Sequence, residues 1–275
     1  MQTFPALLWL TPVRPFGYFF RLLGVKSNYL PVDWLLQLWY RALTRCMGIT
    51  YATQNEGTLD TVTPSIYIFN HISNLDPFVF GSASPVVCKG VGKKVLFLIP
   101  SFGWIIRMMG FIPIDRSNLK SAIDSMDYAA HKVRAWSRSI FVAPEGTRSI
   151  TGQLREFKKG AFHLALKTGA PITPVVLQGP FELWPPHQIF IRPGDVTVKF
   201  LPPIPVTADS DVSDLMRLAR KALLKGIMDD KVDEASLRRP PLISRLCEYL
   251  MIAHVLLFPY VVIWLAWKYL LPLIW

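Results

Sequence analysis

The chain of 275 residues has a formal net charge of +11, is 51% hydrophobic and has a mean hydropathy of +0.31. That length can bury one sizeable core with appendages, and the apolar surplus excludes a disordered chain and exceeds that of an ordinary soluble enzyme. Charge alone admits nucleic acid, an anionic lipid surface or a phosphorylated substrate as partner.

The chain opens with MQTFPALLWLTPVRPFGYFFRLLG, which lacks the basic start and small-residue cleavage site of a signal peptide. Interrupted by Pro12, Arg14 and Pro15, it fits segments lying in a membrane interface. DWLLQLWYRALTRCM, residues 33–47, continues the theme as a helix with apolar and aromatic residues over much of its surface. Residues 1–58 are therefore expected to form membrane-interfacial helices. From residue 59 to 230, short β-branched or aromatic runs alternate with stretches of helical pattern. The expected strands are SIYIF (65–69), VVCKGV (86–91), GFIPI (110–114), SIFVA (139–143), ITPVVL (172–177) and VTVKFL (196–201). Between the third and fourth, Ser117 can cap a helix over 117–136 whose apolar stripe is Ala122, Met126, Ala129, Ala130 and Val133. Another short helix carries Ala161, Leu164 and Ala165 on one face and ends at Gly169, and a surface helix is expected over 207–230. Such alternation predicts an α/β fold with a mixed, largely parallel sheet flanked by helices.

Residues 231–275 then read as a charged linker leading to a membrane segment. YLMIAHVLLFPYVVIWLAW, residues 249–267, has no formal charge and is long enough to cross a hydrocarbon core of about 30 Å, with Pro259 marking a kink or a re-entrant bend. Flanking arginines and tryptophans suit interfacial anchors. The positive charge gathers centrally, with 13 Lys and Arg against 5 Asp and Glu between residues 86 and 160. No nucleic-acid motif accompanies it, and the apolar ends favour a lipid surface. Cys46, Cys88 and Cys247 are isolated thiols with no metal-like spacing, which argues against a disulfide framework, and no metal or other cofactor is expected.

Three stretches could carry chemistry, and a fourth accompanies them. NHISNLDPF, residues 70–78, sets a histidine and an aspartate five positions apart after an apolar run. On an unbroken helix they would lie roughly 140° apart. Asn70, Ser73, Asn74 and Pro77 favour a bend, which could fold Asp76 back onto His71; a capping aspartate beside an incidental histidine is the plainer alternative. APEGTRS, residues 143–149, follows the strand SIFV and offers a glycine for close backbone approach and an arginine for a fork of bonds to phosphate, though an ordinary charged turn reads the same way. IDRS, residues 114–117, repeats the pattern at a second strand end. APITPVV, residues 170–176, completes the series.

In combination and in this order, these blocks resemble the membrane-associated glycerolipid acyltransferases, in particular the 1-acyl-glycerol-3-phosphate acyltransferases, over about residues 60–205. The resemblance implies that His71 is the general base and Asp76 orients it, and that Arg116, Glu145, Gly146, Thr147 and Arg148 belong to the glycerophosphate site. The block from Pro171 onward is associated with packing and acyl-chain accommodation. Ala143 stands where the family usually has phenylalanine, and Pro77 is a less usual neighbour of the aspartate; neither removes a charged group. The implied reaction transfers an acyl group from acyl-CoA to lysophosphatidic acid, giving phosphatidic acid at a membrane, with the endoplasmic reticulum as the expected compartment. Glycerol 3-phosphate or another lysophospholipid is the alternative acceptor. A serine lipase is disfavoured because no GxSxG elbow is present, and a non-enzymatic membrane scaffold would have no need of His71 and Asp76.

Overall fold

The six expected strands and one more assemble into one seven-stranded sheet. It is seen in a computed structural model that describes residues 31–99, 103, 106, 107, 110–115 and 119–229. In chain order the elements are α1 (Pro31–Cys46), β1 (Ile49–Gln54), β2 (Ile66–Phe69), α2 (Asp76–Ala83), β3 (Lys89–Lys93), β4 (Ile112–Ile114), α3 (Leu119–Trp136), β5 (Ile140–Val142), α4 (Gly160–Thr168), β6 (Ile172–Gln178), the short α5 (Pro180–Leu183), β7 (Gly194–Phe200) and α6 (Val212–Met228). The strand order is β1-β7-β6-β2-β5-β3-β4. β6, β2, β5, β3 and β4 run parallel, β7 is antiparallel to β6, and β1 is parallel to β7. The sheet is thus mixed and largely parallel, as expected.

β2 lies at the centre and is buried on both faces, which is why its sequence is a continuous apolar run and not an alternation. Ile66 and Ile68 face the cluster formed with α3, α4 and α6, while Tyr67 and Phe69 face α2 and the rings of Phe80, Phe141 and Phe200. Helices therefore cover both faces, and the carboxyl ends of five parallel strands meet at one edge. Gly169 takes a left-handed φ of 67° and closes α4, and Asp211 caps α6 by accepting from the Ser213 N–H at 2.7 Å.

Three expectations are revised. β3 begins at Lys89, not Val86: Val86, Val87 and Cys88 are buried as a loop under α2, so they are apolar because of core packing and not because of pairing. β1 was not expected as a strand and lies inside the segment expected to be interfacial helix. Its mixed sequence ITYATQ reflects an edge position beside β7. α1 forms where a helix was expected, but Leu36 and Tyr40 on its apolar face are buried against α2, where Gly81 leaves room for the Tyr40 ring. Among the described residues no helix is long and apolar enough to cross a membrane; the stretch 249–267 and the first thirty residues lie outside them.

Candidate active site

β2 ends at Phe69, and the chain turns into a loop instead of continuing as strand or helix. Asn70 anchors the turn. Its buried side chain donates to the Leu177 carbonyl (2.9 Å) and accepts from the Leu177 N–H (2.8 Å), so it extends the β2–β6 ladder by one side-chain rung. The following residues wrap around one carboxylate oxygen. Asp76 Oδ2 accepts from His71 Nδ1 at 2.7 Å and from the main-chain N–H groups of Ile72 (2.7 Å) and Ser73 (2.9 Å). The bend expected from Asn70, Ser73 and Asn74 thus brings His71 and Asp76 together, and α2 starts at Asp76 itself.

Asp76 is fully buried, while the His71 side chain is about one-fifth exposed. Burial pushes the Asp76 carboxyl above the usual carboxylate range, and the His71 contact and two N–H donors oppose that push. Two main-chain donors on Oδ2 mark it as an acceptor, which assigns the proton of this hydrogen bond to Nδ1 and leaves Nε2 as the accepting nitrogen. Oδ1 has no hydrogen-bond partner among the described residues. The Phe69 ring meets the imidazole edge-on, centroids 6.0 Å apart.

The 143–149 stretch follows β5, the parallel neighbour of β2, so its turn arrives beside His71. Gly146 donates its N–H to the Ala143 carbonyl (3.1 Å) and takes φ 73°, which a glycine accepts without strain. An added Cβ there would lie 3.2 Å from Lys158 Cγ, so the Lys158 stem runs close against the turn. The Ser149 N–H donates to the His71 carbonyl at 2.7 Å.

Glu145 does not face solvent. It is buried, with Oε1 accepting from the His71 N–H (2.7 Å) and Oε2 from the Arg155 N–H (2.9 Å). Burial raises its carboxyl above the usual range, against the pull of these two donors. Its role in this geometry is to hold the backbone of the His71 loop, whereas the resemblance grouped it with the glycerophosphate contacts. A buried anion is also poorly suited to meet a phosphate. Thr147 is exposed, and Arg148 is partly exposed with no hydrogen bond or ion pair among the described residues. Arg148 is one cation available to an incoming anion at this turn. Arg116 lies outside the described residues; β4, which it follows, is three strands from β2, and its neighbour Asp115 lies 3.6 Å from Lys94. Phe102, Trp104, Ile105 and Met108, apolar residues suited to an acyl tunnel and equally to a core or a membrane face, also lie outside the described residues.

Reading the sequence missed the loop at 184–185. Ser73 Oγ donates to the Trp184 carbonyl (2.6 Å), and the Asn74 N–H reaches the same oxygen (3.3 Å). Main-chain donors and acceptors leave no side-chain signature, so neither the Trp184 carbonyl nor the Arg155 N–H could be found by motif.

Comparison with known proteins adds the following. The profile of the Acyltransferase family matches residues 51–178. An uncharacterized acyltransferase of Schizosaccharomyces pombe is 31% identical over 216 residues, 76% of each chain. A 1-acyl-sn-glycerol-3-phosphate acyltransferase of Limnanthes douglasii is 40% identical over 149 residues, 54% of this chain and 53% of that one, and the same-named Saccharomyces cerevisiae protein is 36% identical over 167 residues, 60% and 55%. The chain thus spans about half the length of such curated relatives. The crystal structure of the 1-acyl-sn-glycerophosphate acyltransferase PlsC from Thermotoga maritima shares the fold, with a TM-score of 0.64 at 20% identity over 84% of this chain and 96% of that one.

Proposed function

The chain belongs to the acyltransferase family, and from that premise we propose that it moves a fatty acyl group from acyl-CoA to the free hydroxyl of lysophosphatidic acid, forming phosphatidic acid at a membrane surface. The observation that carries this reading is the 2.7 Å contact between His71 Nδ1 and Asp76 Oδ2, beside the turn that presents Arg148. The names of the plant and yeast relatives support the acceptor.

An alcohol is a poor nucleophile at neutral pH, so its proton must leave as it attacks. Nε2 of neutral His71 takes that proton while the hydroxyl oxygen bonds to the thioester carbonyl carbon. The tetrahedral intermediate then collapses, the carbon–sulfur bond breaks, and the imidazolium returns its proton to the departing thiolate. Asp76 holds the ring in the tautomer that leaves Nε2 free and stabilises the cation formed between the two transfers. Arg148, with Lys158 alongside, offers charge to the acceptor phosphate. Neither Cys46 nor Cys88 lies in this loop cluster, and direct transfer from donor to acceptor needs no protein nucleophile.

The test is transfer from one long-chain acyl-CoA to lysophosphatidate, glycerol 3-phosphate and lysophosphatidylcholine by membrane-reconstituted protein, with His71→Ala alongside. Transfer to lysophosphatidate that is lost in the folded variant is expected. Preference for another acceptor would change the substrate, and turnover surviving in the variant would remove the dyad.

A further inference from the structure

The loop between α5 and β7 ends at the same sheet edge as His71 and carries two apolar residues into solvent. Ile189 and Phe190 are 84% and 83% exposed. The loop is nonetheless built: the Arg192 N–H donates to the Leu183 carbonyl at 2.9 Å to close the stem, and Trp184 Nε1 donates to the Gln188 carbonyl at 2.8 Å to brace its inside. Its stem is bonded to the catalytic loop through Ser73 and Asn74.

Neighbouring loops carry the same chemistry. Ile150, after β5, is 61% exposed, and Leu98, after β3, is 70% exposed with Val95 and Ile99 beside it. Because β6, β2, β5 and β3 are parallel, these three loops leave one edge and flank His71 on both sides. Exposed cations are interleaved with them: Lys93, Lys94, Arg155, Lys158, Lys159 and Arg192. A single exposed leucine means little, but apolar tips on three adjacent loops ringed by cations form a patch that calls for a partner. Apolar tips that can enter an acyl layer, beneath cations that stay with phosphate headgroups, match an anionic lipid surface.

We propose that the carboxyl edge of the sheet docks on an anionic bilayer, with Ile189 and Phe190 as its wedge, and that the Trp184 bonds to Ser73 and Asn74 fix the depth of the catalytic loop relative to the lipid. This rests on the lysophospholipid reading above and extends it: an acceptor resting in the leaflet presents its hydroxyl to His71 without leaving the bilayer.

The test uses the full chain, with Cys46→Ser and Cys247→Ser, in nanodiscs of phosphatidylcholine with phosphatidic acid. A polarity-sensitive dye is attached at Phe190→Cys or, as control, at Val62→Cys, which is 73% exposed just before β2 at the opposite edge. The dye at 190 is expected to shift to the blue and to be shielded from iodide, while the dye at 62 is not. Equal quenching at both positions would overturn the docking. So would shielding at 190 that appears without lipid and grows with protein concentration, which would assign the face to a second copy of the chain. In parallel, Ile189→Ser with Phe190→Ser should raise KM for an acceptor in the bilayer about tenfold and leave kcat on a short-chain, freely soluble acceptor unchanged; an unchanged KM would also refute it. Shielding at 190 in a protein that acylates neither acceptor would leave the docking standing and sink the acceptor assignment instead.

Discussion

Glu145→Gln separates a residue that binds substrate from one that holds the loop. The native carboxylate accepts one N–H on each oxygen, from His71 at 2.7 Å and from Arg155 at 2.9 Å. Glutamine keeps a single acceptor, and its amide NH2 must face the second N–H. A hydrogen bond to a charged acceptor contributes about 1.5–3 kcal/mol, and the abandoned donor adds to the loss, while a neutral side chain escapes the cost of burying charge. The balance predicts a destabilisation of about 2 kcal/mol. With the amide NH2 turned to the His71 N–H, the bond that fixes this backbone is lost, and a shift approaching 1 Å at the imidazole would lower kcat about 100-fold. Urea unfolding reads the first effect, and steady-state acyl transfer with varied acceptor reads the second. KM for the acceptor should change little. A variant of native stability and native kcat, with acceptor KM raised, would refute the reasoning and return Glu145 to the substrate.

The same residue predicts a pH signature. Burial raises the Glu145 carboxyl, so the folded chain binds this proton more tightly than the unfolded one. The proton-linked part of its contribution is complete below about pH 4, the unfolded range, and falls as pH rises through the raised value, as the ionised carboxyl bears the cost of burial. The stability gap between the native protein and Glu145→Gln should therefore narrow with rising pH across that window, and a gap that widens would reverse the assignment. Asp76→Asn places an amide NH2 where Oδ1 has no partner and removes the anion behind the imidazole; kcat should fall on the order of 10³-fold with acceptor KM little changed. Arg148→Ala should raise acceptor KM at least tenfold while sparing KM for the acyl donor, and equal damage to both would show that the guanidinium does not meet the phosphate. Gly81→Ala would set a Cβ 2.7 Å from the Tyr40 ring, so despite the better helix propensity of alanine it should destabilise by about 1–2 kcal/mol. Thermal unfolding showing a gain would mean that α1 is not packed as described.

Most of the fold was legible. β2, β5 and β6 were found because each is a short apolar run that a covered central strand requires, and β4 and β7 because GFIPI and VTVKFL are rich in β-branched and aromatic residues. β1 was not, since an edge strand needs few apolar residues and ITYATQ has a mixed pattern. β3 was misplaced by three residues because apolar loop and apolar strand look alike when both are buried.

The sequence by itself determined the α/β class, the order of the motifs, and that His71 and Asp76 sit in a segment unable to remain helical or extended. Its turn residues, the apolar run before them and the glycine at 146 are local properties, readable from neighbours a few positions away. Only the tertiary structure decided that β2 and β5 lie side by side, and hence that the turn at 146 arrives next to His71. It also decided that Glu145 turns inward to two main-chain N–H groups while Arg148 is left partly in solvent, and that the 184–192 loop is bonded to the catalytic loop. The physical reason is that strand order and main-chain hydrogen bonding depend on contacts made across 70 to 110 residues of sequence by groups that every residue carries. Side-chain pattern cannot announce such contacts before the sheet has formed.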